Sequence, residues 1–248
     1  MKLIALIMIK YGIFGSNGKM GQALKLASES FKNAELKQLF DRSFKKEQAE
    51  GLDFIIDFSS PQGTLFLARE MQGSNILIIC GTTGFNKAEF QELKELSKGV
   101  KILYSANFSL GIRAIARILR ELSKELENYD VEILEKHHNL KKDAPSGTAL
   151  LLGRAVAMGR EQDFENVKIF NRNSERKKDE IGFACIRQGS IFGFHEVSFA
   201  NNDERIWIGH EAFNKTIFAK GAITAGVKGV EKFKSLYHGF FELEDLEE

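Results

Sequence analysis

A short apolar run, Ile9–Phe14, opens directly into Gly12-Ile-Phe-Gly15-Ser-Asn-Gly18-Lys-Met-Gly21, and an amphipathic stretch follows with Met20, Ala23, Leu24 and Ala27 on one face. This constrains the fold more than any other feature of the chain. Glycines at a strand-to-helix turn permit positive φ and close approach of the backbone to a phosphate. The helix that begins there offers free N–H groups and the positive end of its dipole to an anion. The spacing is G-x-x-G-x-x-G rather than G-x-G-x-x-G, and by itself it fits an ordinary tight βα turn equally well. Two neighbours decide the matter. Asp41 closes the second strand, twenty residues after Gly21, where a carboxylate accepts hydrogen bonds from ribose hydroxyls. Gly81-Thr82-Thr83-Gly84 follows the fourth strand, at the same edge of the sheet. Strand, glycines, acid and second Gly-Thr loop together indicate a dinucleotide site. Arg42 follows Asp41 directly. The acid favours NADH, and a guanidinium pairs bidentately with the 2′-phosphate of NADPH, so use of both cofactors is expected.

The first hundred residues alternate apolar runs with helical patterns. The expected strands are Ile9–Phe14, Glu35–Phe40, Asp53–Phe58, Ile76–Cys80 and Val100–Tyr104, and a helix is expected over Lys87–Lys98. This alternation predicts an α/β Rossmann-type N-terminal domain over residues 1–107, with ligands at the carboxyl ends of parallel strands. After Asn107 the rhythm changes. Ile112, Ile115, Ala116, Leu119, Leu122 and Leu126 mark one long amphipathic helix. A strand at Val131–Glu135, a polar loop at His137–Pro145 and a helix over Gly147–Met158 follow. Residues 161–180 are charged and read as a loop or edge. The runs Ile181–Arg187, Phe194–Phe199 and Arg205–His210 are consecutive strands, which predicts an α+β second domain over residues 108–210 with a mixed or antiparallel sheet. Lys215–Lys234 reads as a last helix, within a helical C-terminal segment of about 211–248 that packs back on the first domain.

The 248 residues suffice for two modest cores, and 35 basic against 34 acidic residues leave a net charge of +1. Neither a nucleic acid nor an anionic membrane is therefore an expected partner. No apolar run is long enough to span a bilayer. Met1–Ile9 has some character of a signal peptide, but no small-residue cleavage site follows, and Ile9–Phe14 is read as a buried strand. A start at Met8 also gives a sensible protein, with residues 1–7 as an extension. Cys80 and Cys185, the two cysteines, lie far apart. They suit reduced thiols in a cytoplasm better than a disulfide framework. No residue set has metal-ligand spacing.

The densest polar chemistry is Glu135-Lys-His137-His138-Asn-Leu-Lys141-Lys142-Asp143-Ala-Pro145-Ser146-Gly147-Thr148. His and Lys supply proton donors near neutral pH. Ser146, Gly147 and Thr148 open a helix and present N–H groups and hydroxyls, a ready site for a carboxylate. A plainer reading makes the histidines exposed and Ser146 a helix cap.

This segment closely resembles the signature of the bacterial 4-hydroxy-tetrahydrodipicolinate reductase (dihydrodipicolinate reductase) family, Glu-x-His-His-x-x-Lys-x-Asp-Ala-Pro-Ser-Gly-Thr. The resemblance extends along the chain. Gly15–Gly21 resembles the family's GxxGRMG loop, with Lys19 in place of Arg. Asp57-Phe-Ser59, Gly81–Phe85, Ser105–Ser109, Arg187-Gln-Gly189 and Gly193-Phe-His195 resemble further family stretches in the same order. The resemblance implies an NAD(P)H-dependent reductase of diaminopimelate and lysine biosynthesis, acting on a cyclic, imine-type dicarboxylate. It implies that His137 is the acid/base residue, that Lys141 donates a proton, that His138 contacts substrate, and that Gly147 and Thr148 hold a substrate carboxylate. Gly15, Ser16, Asn17, Gly18, Lys19, Met20, Asp41, Gly81, Thr82, Thr83, Ser105, Ala106, Asn107 and Phe108 would surround the cofactor, with Arg42 at the 2′-phosphate position. It also implies a homotetramer built by the second domain's sheet. His195 stands either near substrate or as a satisfied core histidine; His210 and His238 read as structural or exposed, and Cys80 as an inert core thiol. Two other readings compete. A reductase or dehydrogenase of another amino acid or aldehyde accounts for the glycine loop but not for the ordered His-His, Lys and Ser-Gly-Thr set. A non-catalytic nucleotide sensor would not require His137 and Lys141 together.

Overall fold

The computed structural model describes residues 8–246. The reading of residues 1–7 as an extension lies outside the described residues. The chain forms two compact units: the chain up to Phe108 together with the segment from Thr216 onward, and Ser109–Lys215.

In the first unit, strands β1 (Ile9–Phe14), β2 (Ala34–Phe40), β3 (Phe54–Asp57), β4 (Leu77–Cys80) and β5 (Lys101–Tyr104) alternate with helices α1 (Lys19–Ser28), α2 (Pro61–Glu70) and α3 (Lys87–Leu96). All neighbouring pairs are parallel. The chain winds from β1 to β2 on one side and from β3 through β4 to β5 on the other, so the order reverses beside β1. The central strands are buried on both faces: Phe54, Ile55, Ile56, Ile78 and Ile79 have no exposed surface. That is why these strands read as continuous apolar runs rather than alternating ones. Helix α2 has little sequence periodicity, but its start is chemically explicit. Ser60 Oγ accepts from Gly63 N at 3.2 Å, and Pro61 occupies the first helical position.

The second unit is built on β6 (Asp130–His137), β7 (Lys168–Phe170), β8 (Ile181–Arg187), β9 (Phe194–Ala200) and β10 (Arg205–Glu211), ordered β10-β9-β6-β8-β7. The sheet is mixed: β6 runs parallel to β8 and antiparallel to β9. Helices α4 (Leu110–Glu125) and α5 (Gly147–Gly159) share one core with the sheet residues Val131, Ile133, Ile181, Phe183, Val197 and Phe199. The charged stretch 161–180 contains a single helical turn, α6 (Phe164–Val167), and the edge strand β7.

Two sequence boundaries are corrected. His137 belongs to β6, not to the loop after it. Val131, Ile133, Glu135 and His137 are all buried, on one face of the strand. The last two are polar, and polarity at inward positions makes a strand end read as a loop. The C-terminal segment is also not one helix over about 211–248. Strand β10 runs to Glu211, helix α7 spans Thr216–Lys232, and β11 (Gly239–Phe241) adds a parallel strand beside β5. Its aromatics explain it: Phe241 stacks on Phe233 at 3.9 Å, and Phe240 lies 6.0 Å from Tyr104. Three residues are too few to show a period.

Helices α4 and α5 approach closely at Gly159, where an added Cβ would lie 2.2 Å from the Arg120 carbonyl oxygen and 2.9 Å from Ser123 Cβ. Gly159→Ala gains at most about 1 kcal/mol of helix propensity. Overpacking against backbone costs about 1–3 kcal/mol, so the net effect is destabilising. Thermal unfolding should show a midpoint lowered by roughly 2–6 °C; an unchanged or raised midpoint would show that the helices do not meet there.

Candidate active site

The first unit gathers its polar chemistry at the carboxyl ends of its parallel strands, and the second at one end of its mixed sheet. In the first unit, Gly15 adopts φ +75° and is stacked against Ser59, where a Cβ would meet Ser59 Cβ at 3.0 Å. Gly18 is the N-cap of α1 and brings no side chain to satisfy the first-turn N–H groups, and that turn has no acidic residue. Gly21 packs against the loop itself: a Cβ would lie 2.5 Å from the Ser16 carbonyl oxygen and 2.7 Å from that of Gly15. Ser16 is buried, Met20 is half-buried, and Asn17, Gly18 and Lys19 are exposed around the helix start. A loop of this shape, with unsatisfied N–H groups and no repelling carboxylate, fits a pyrophosphate.

The other residues assigned to this site lie at the same sheet edge. Asp41 and Arg42 follow β2 and are exposed. Asp41 Oδ1 accepts from Ser43 Oγ at 2.7 Å and from Ser43 N at 2.8 Å, and these two bonds hold the carboxyl below its usual range. Both bonds fall on the same carboxylate oxygen. Gly81 and Thr82 are buried after β4 and Thr83 is exposed. The Phe58 ring covers Gly81 so closely that a Cβ would stand 2.2 Å from it. Ser105, Asn107 and Phe108 are buried after β5, Ala106 is half-buried, and Ser105 Oγ donates to the Asn107 carbonyl at 2.8 Å. Beneath this edge lies Asp57, fully buried, whose carboxylate accepts from Thr64 Oγ1 and from Ser59 N at 2.8 Å. Burial pushes its carboxyl above the usual range, against those bonds.

The second unit's site is assembled by strand register. Across its helix-covered face, His210, His195, Glu135 and Cys185 fall in one row from β10, β9, β6 and β8, and His137 pairs with Arg187 one step on. Glu135 is fully buried. Its Oε2 accepts from His137 Nδ1 at 2.5 Å and from Arg187 Nη1 at 2.9 Å, and its Oε1 from Arg187 Nη2 at 2.5 Å and Ser146 N at 3.2 Å. Burial opposes the charge, but His137 and Arg187 outweigh it and hold the carboxyl at about 2. An ionised carboxylate only accepts, so His137 carries its hydrogen on Nδ1 and presents Nε2. A Cβ on Gly193 would stand 3.2 Å from that Nε2, so glycine keeps the space beside it clear.

His195 packs edge-on to His137, 5.1 Å between ring centroids, with Nε2 at 3.1 Å from Ser146 Oγ. Burial, with the neighbouring His137 charge, pushes the His195 imidazole down to about 3, so it is neutral at physiological pH. Ser146 Oγ also accepts from Ala149 N at 3.2 Å and caps α5, so Ser146, Gly147 and Thr148 form the helix start beside the two imidazoles. Lys141 Nζ is held by Asp143, at 2.7 and 2.9 Å to its two oxygens. The Asp143 carbonyl in turn accepts from Arg187 at 2.7 Å. His138 is half-buried next to His137. His210 Nε2 lies 3.2 Å from Ser109 Oγ, a contact with the cap of α4.

Sequence reasoning assigned no role to Glu135 and Arg187 and left His195 open. The available signal was the two-residue spacing of Glu135 and His137, which puts both on one strand face. Nothing local indicates that Arg187 and His195, some fifty and sixty residues on, complete the row. Side-chain atoms of Glu135, His137 and His195 lie within 4.8 Å of one another, a grouping also hidden from sequence spacing. Both Glu135 oxygens already accept from the Arg187 guanidinium, which opposes a cation at that place.

Comparison with known proteins agrees with this geometry in both units. Residues 9–108 match the family model described as dihydrodipicolinate reductase, N-terminus, and residues 111–246 match dihydrodipicolinate reductase, C-terminus. The chain belongs to the dihydrodipicolinate reductase family. It is 38% identical over 236 residues to 4-hydroxy-tetrahydrodipicolinate reductase of Rickettsia bellii, covering 93% of each chain. It is 38% identical over 242 residues to the enzyme of the same name from Campylobacter lari, covering 96% of this chain and 98% of that one. In fold it is similar to the dipicolinate-bound dihydrodipicolinate reductase of Paenisporosarcina sp. TG-14, with a TM-score of 0.71, 20% identity and coverage of 95% and 97%. The fold also resembles that of a diaminopimelate dehydrogenase from C. glutamicum, at a TM-score of 0.57 and 12% identity over 96% and 93% of the two chains. The family's reductases use NADH or NADPH, bound by the N-terminal Rossmann domain.

Gly21→Ala should therefore raise the dissociation constant for NADH at least about tenfold, roughly 1.4 kcal/mol, because the added methyl can only be seated by moving the Gly15–Ser16 backbone. Fluorescence titration of NADH checks this, and unchanged binding would remove the loop from the cofactor site.

Proposed function

We propose that this protein reduces 4-hydroxy-tetrahydrodipicolinate (dihydrodipicolinate) to tetrahydrodipicolinate with NADH or NADPH, using His137 and Lys141 to manage protons. The observation that carries the reading is the conjunction, in one unit, of an imidazole with fixed tautomer, a lysine and an uncharged helix start. The nicotinamide, when bound, supplies the hydride to an electron-poor ring carbon. This chain's residues do the rest. Gly147 and Thr148 present the first-turn N–H groups of α5, and Ser146 and Thr148 their hydroxyls, to a substrate carboxylate; His138 contacts the same substrate. Lys141 attracts the dianion and donates the proton that quenches charge developing on the ring. An ammonium has three N–H groups, so one remains for substrate while Asp143 holds the side chain. His137 exchanges a proton at Nε2, the nitrogen that Glu135 leaves uncommitted.

In the first unit, Gly15–Met20, Gly81–Thr83 and Ser105–Phe108 are assigned to the dinucleotide. Asp41 is assigned to the adenosine ribose and Arg42 to the 2′-phosphate of NADPH. The second unit is assigned to substrate and to assembly as a homotetramer. Its sheet has one face against α4 and α5, while the other carries Phe194, Ile186 and Trp207, the last 60% exposed. A broad face of this kind suits sheet-to-sheet association. Among the described residues no helix is long and apolar enough to cross a membrane, and Cys80 and Cys185 are both free thiols. We assign the protein to the cytoplasm, where thiols are kept reduced.

His137→Ala and Lys141→Ala should each lower kcat by about 10²–10⁴-fold with cofactor affinity nearly unchanged, in an assay fed with freshly generated synthase product. Pyridine-2,6-dicarboxylate, a planar mimic, should compete with substrate. Near-normal turnover in both variants, or no binding of the mimic, would sink this assignment. Both cofactors should support turnover. Asp41→Asn should raise KM for NADH more than for NADPH, and Arg42→Ala the reverse, each by roughly tenfold, as expected for loss of a charge-assisted hydrogen bond. No NADPH turnover where NADH saturates would show that Arg42 does not serve the 2′-phosphate.

A further inference from the structure

One fully buried carboxylate, Glu135, accepts from three different elements: His137 on its own strand, Arg187 on β8 and the cap residue Ser146 at the start of α5. We propose that Glu135 is the positioning residue of the site. It sets the tautomer and basicity of His137 and ties the carboxylate-binding helix start to that imidazole, while Arg187 moderates its effect. The proposal rests on the reading of His137 as the proton-exchanging group.

The argument is one of charge. A guanidinium is always protonated, so Glu135 and Arg187 together are neutral when His137 is neutral. A proton on His137 leaves this trio with one net positive charge. Glu135 therefore favours protonation of His137 and Arg187 opposes it. Lys136 and Glu135 neighbour His137 along β6. Facing it from other elements are Arg187 and Cys185 on β8, His195 on β9 with His210 beyond it on β10, and His138, Lys141 and Asp143 in the loop. His195 is neutral, and burial pushes the Cys185 thiol up to about 11, so neither adds charge near neutral pH. The opposing charges linked to the ring by hydrogen bonds are then Glu135, bonded to it directly, and Arg187, bonded through Glu135. A merely structural ion pair would lose stability when either member is removed, but the kcat–pH profile would not follow opposite shifts of His137.

The test uses the full-length chain. Imidazole NMR gives the tautomer and titration midpoint of His137, identified by the signal lost in His137→Asn, and the kcat–pH profile is measured in parallel. The wild type should show hydrogen on Nδ1. In Glu135→Gln the His137 midpoint should fall by about one unit or more, the alkaline limb of kcat should move down with it, and Glu135→Asp should restore part of the shift. In Arg187→Gln both should move up. NADH binding within about threefold of wild type reports an intact fold, since roughly 0.6 kcal/mol separates such values. No shift in either variant, shifts of the same sign, or hydrogen on Nε2 would overturn the proposal. If Glu135→Gln does not fold, Arg187→Gln decides alone: an upward shift supports the proposal and no shift overturns it. If the wild type proves unable to reduce the substrate, the functional reading fails while the NMR arm still decides whether Glu135 controls His137.

Discussion

The second unit depends on a charge that is costly to bury. Removing a carboxylate from water costs several kcal/mol, and the cost is offset only when partners fill its lone pairs with good geometry. Glu135 meets that condition through two bonds from Arg187, one from His137 and one from the Ser146 backbone. Each partner belongs to a different part of the chain. Satisfying the charge therefore fixes the end of β6 relative to β8 and to the first turn of α5. The chemistry inherits this geometry, because the imidazole and the helix start are held by the same two oxygens.

The first unit solves a different problem, close approach rather than charge. Gly15, Gly21 and Gly81 stand where a methyl group would collide with Ser59, with the loop's own carbonyls or with the Phe58 ring. Glycine at these places lets the loops pack tightly against their own surroundings. The aromatic packing behind the sheet, with Tyr11 stacked on Phe54 at 4.9 Å, gives those loops a rigid base.

Much of this was legible in the chain. Strands β1 and β8 span the expected residues, because a glycine or a polar residue, Gly15 or Gln188, follows each apolar run. Helix α4 was legible because a broad apolar face recurs at helical spacing. The ends of β6 and of the C-terminal segment were not. At His137 an inward position is occupied by a catalytic-type side chain, and local polarity outweighs position in any pattern. At Gly239–Phe241 the strand exists because Phe240 and Phe241 find partners on β5 and α7, and neither partner is near in sequence.

By itself, the sequence determined the parallel Rossmann-type sheet, the glycine loop with Asp41 nearby, and the dense polar segment from His137 to Thr148. These follow from side-chain type and short-range spacing, which a linear chain displays directly. Only the tertiary structure decided which nitrogen of His137 is exposed, that Arg187 shares its carboxylate, and that His195 is neutral beside Ser146. The first belongs to a bond between Glu135 and His137 on one strand face, the others to contacts between elements more than forty residues apart. Register, not composition, brings such groups within 3 Å.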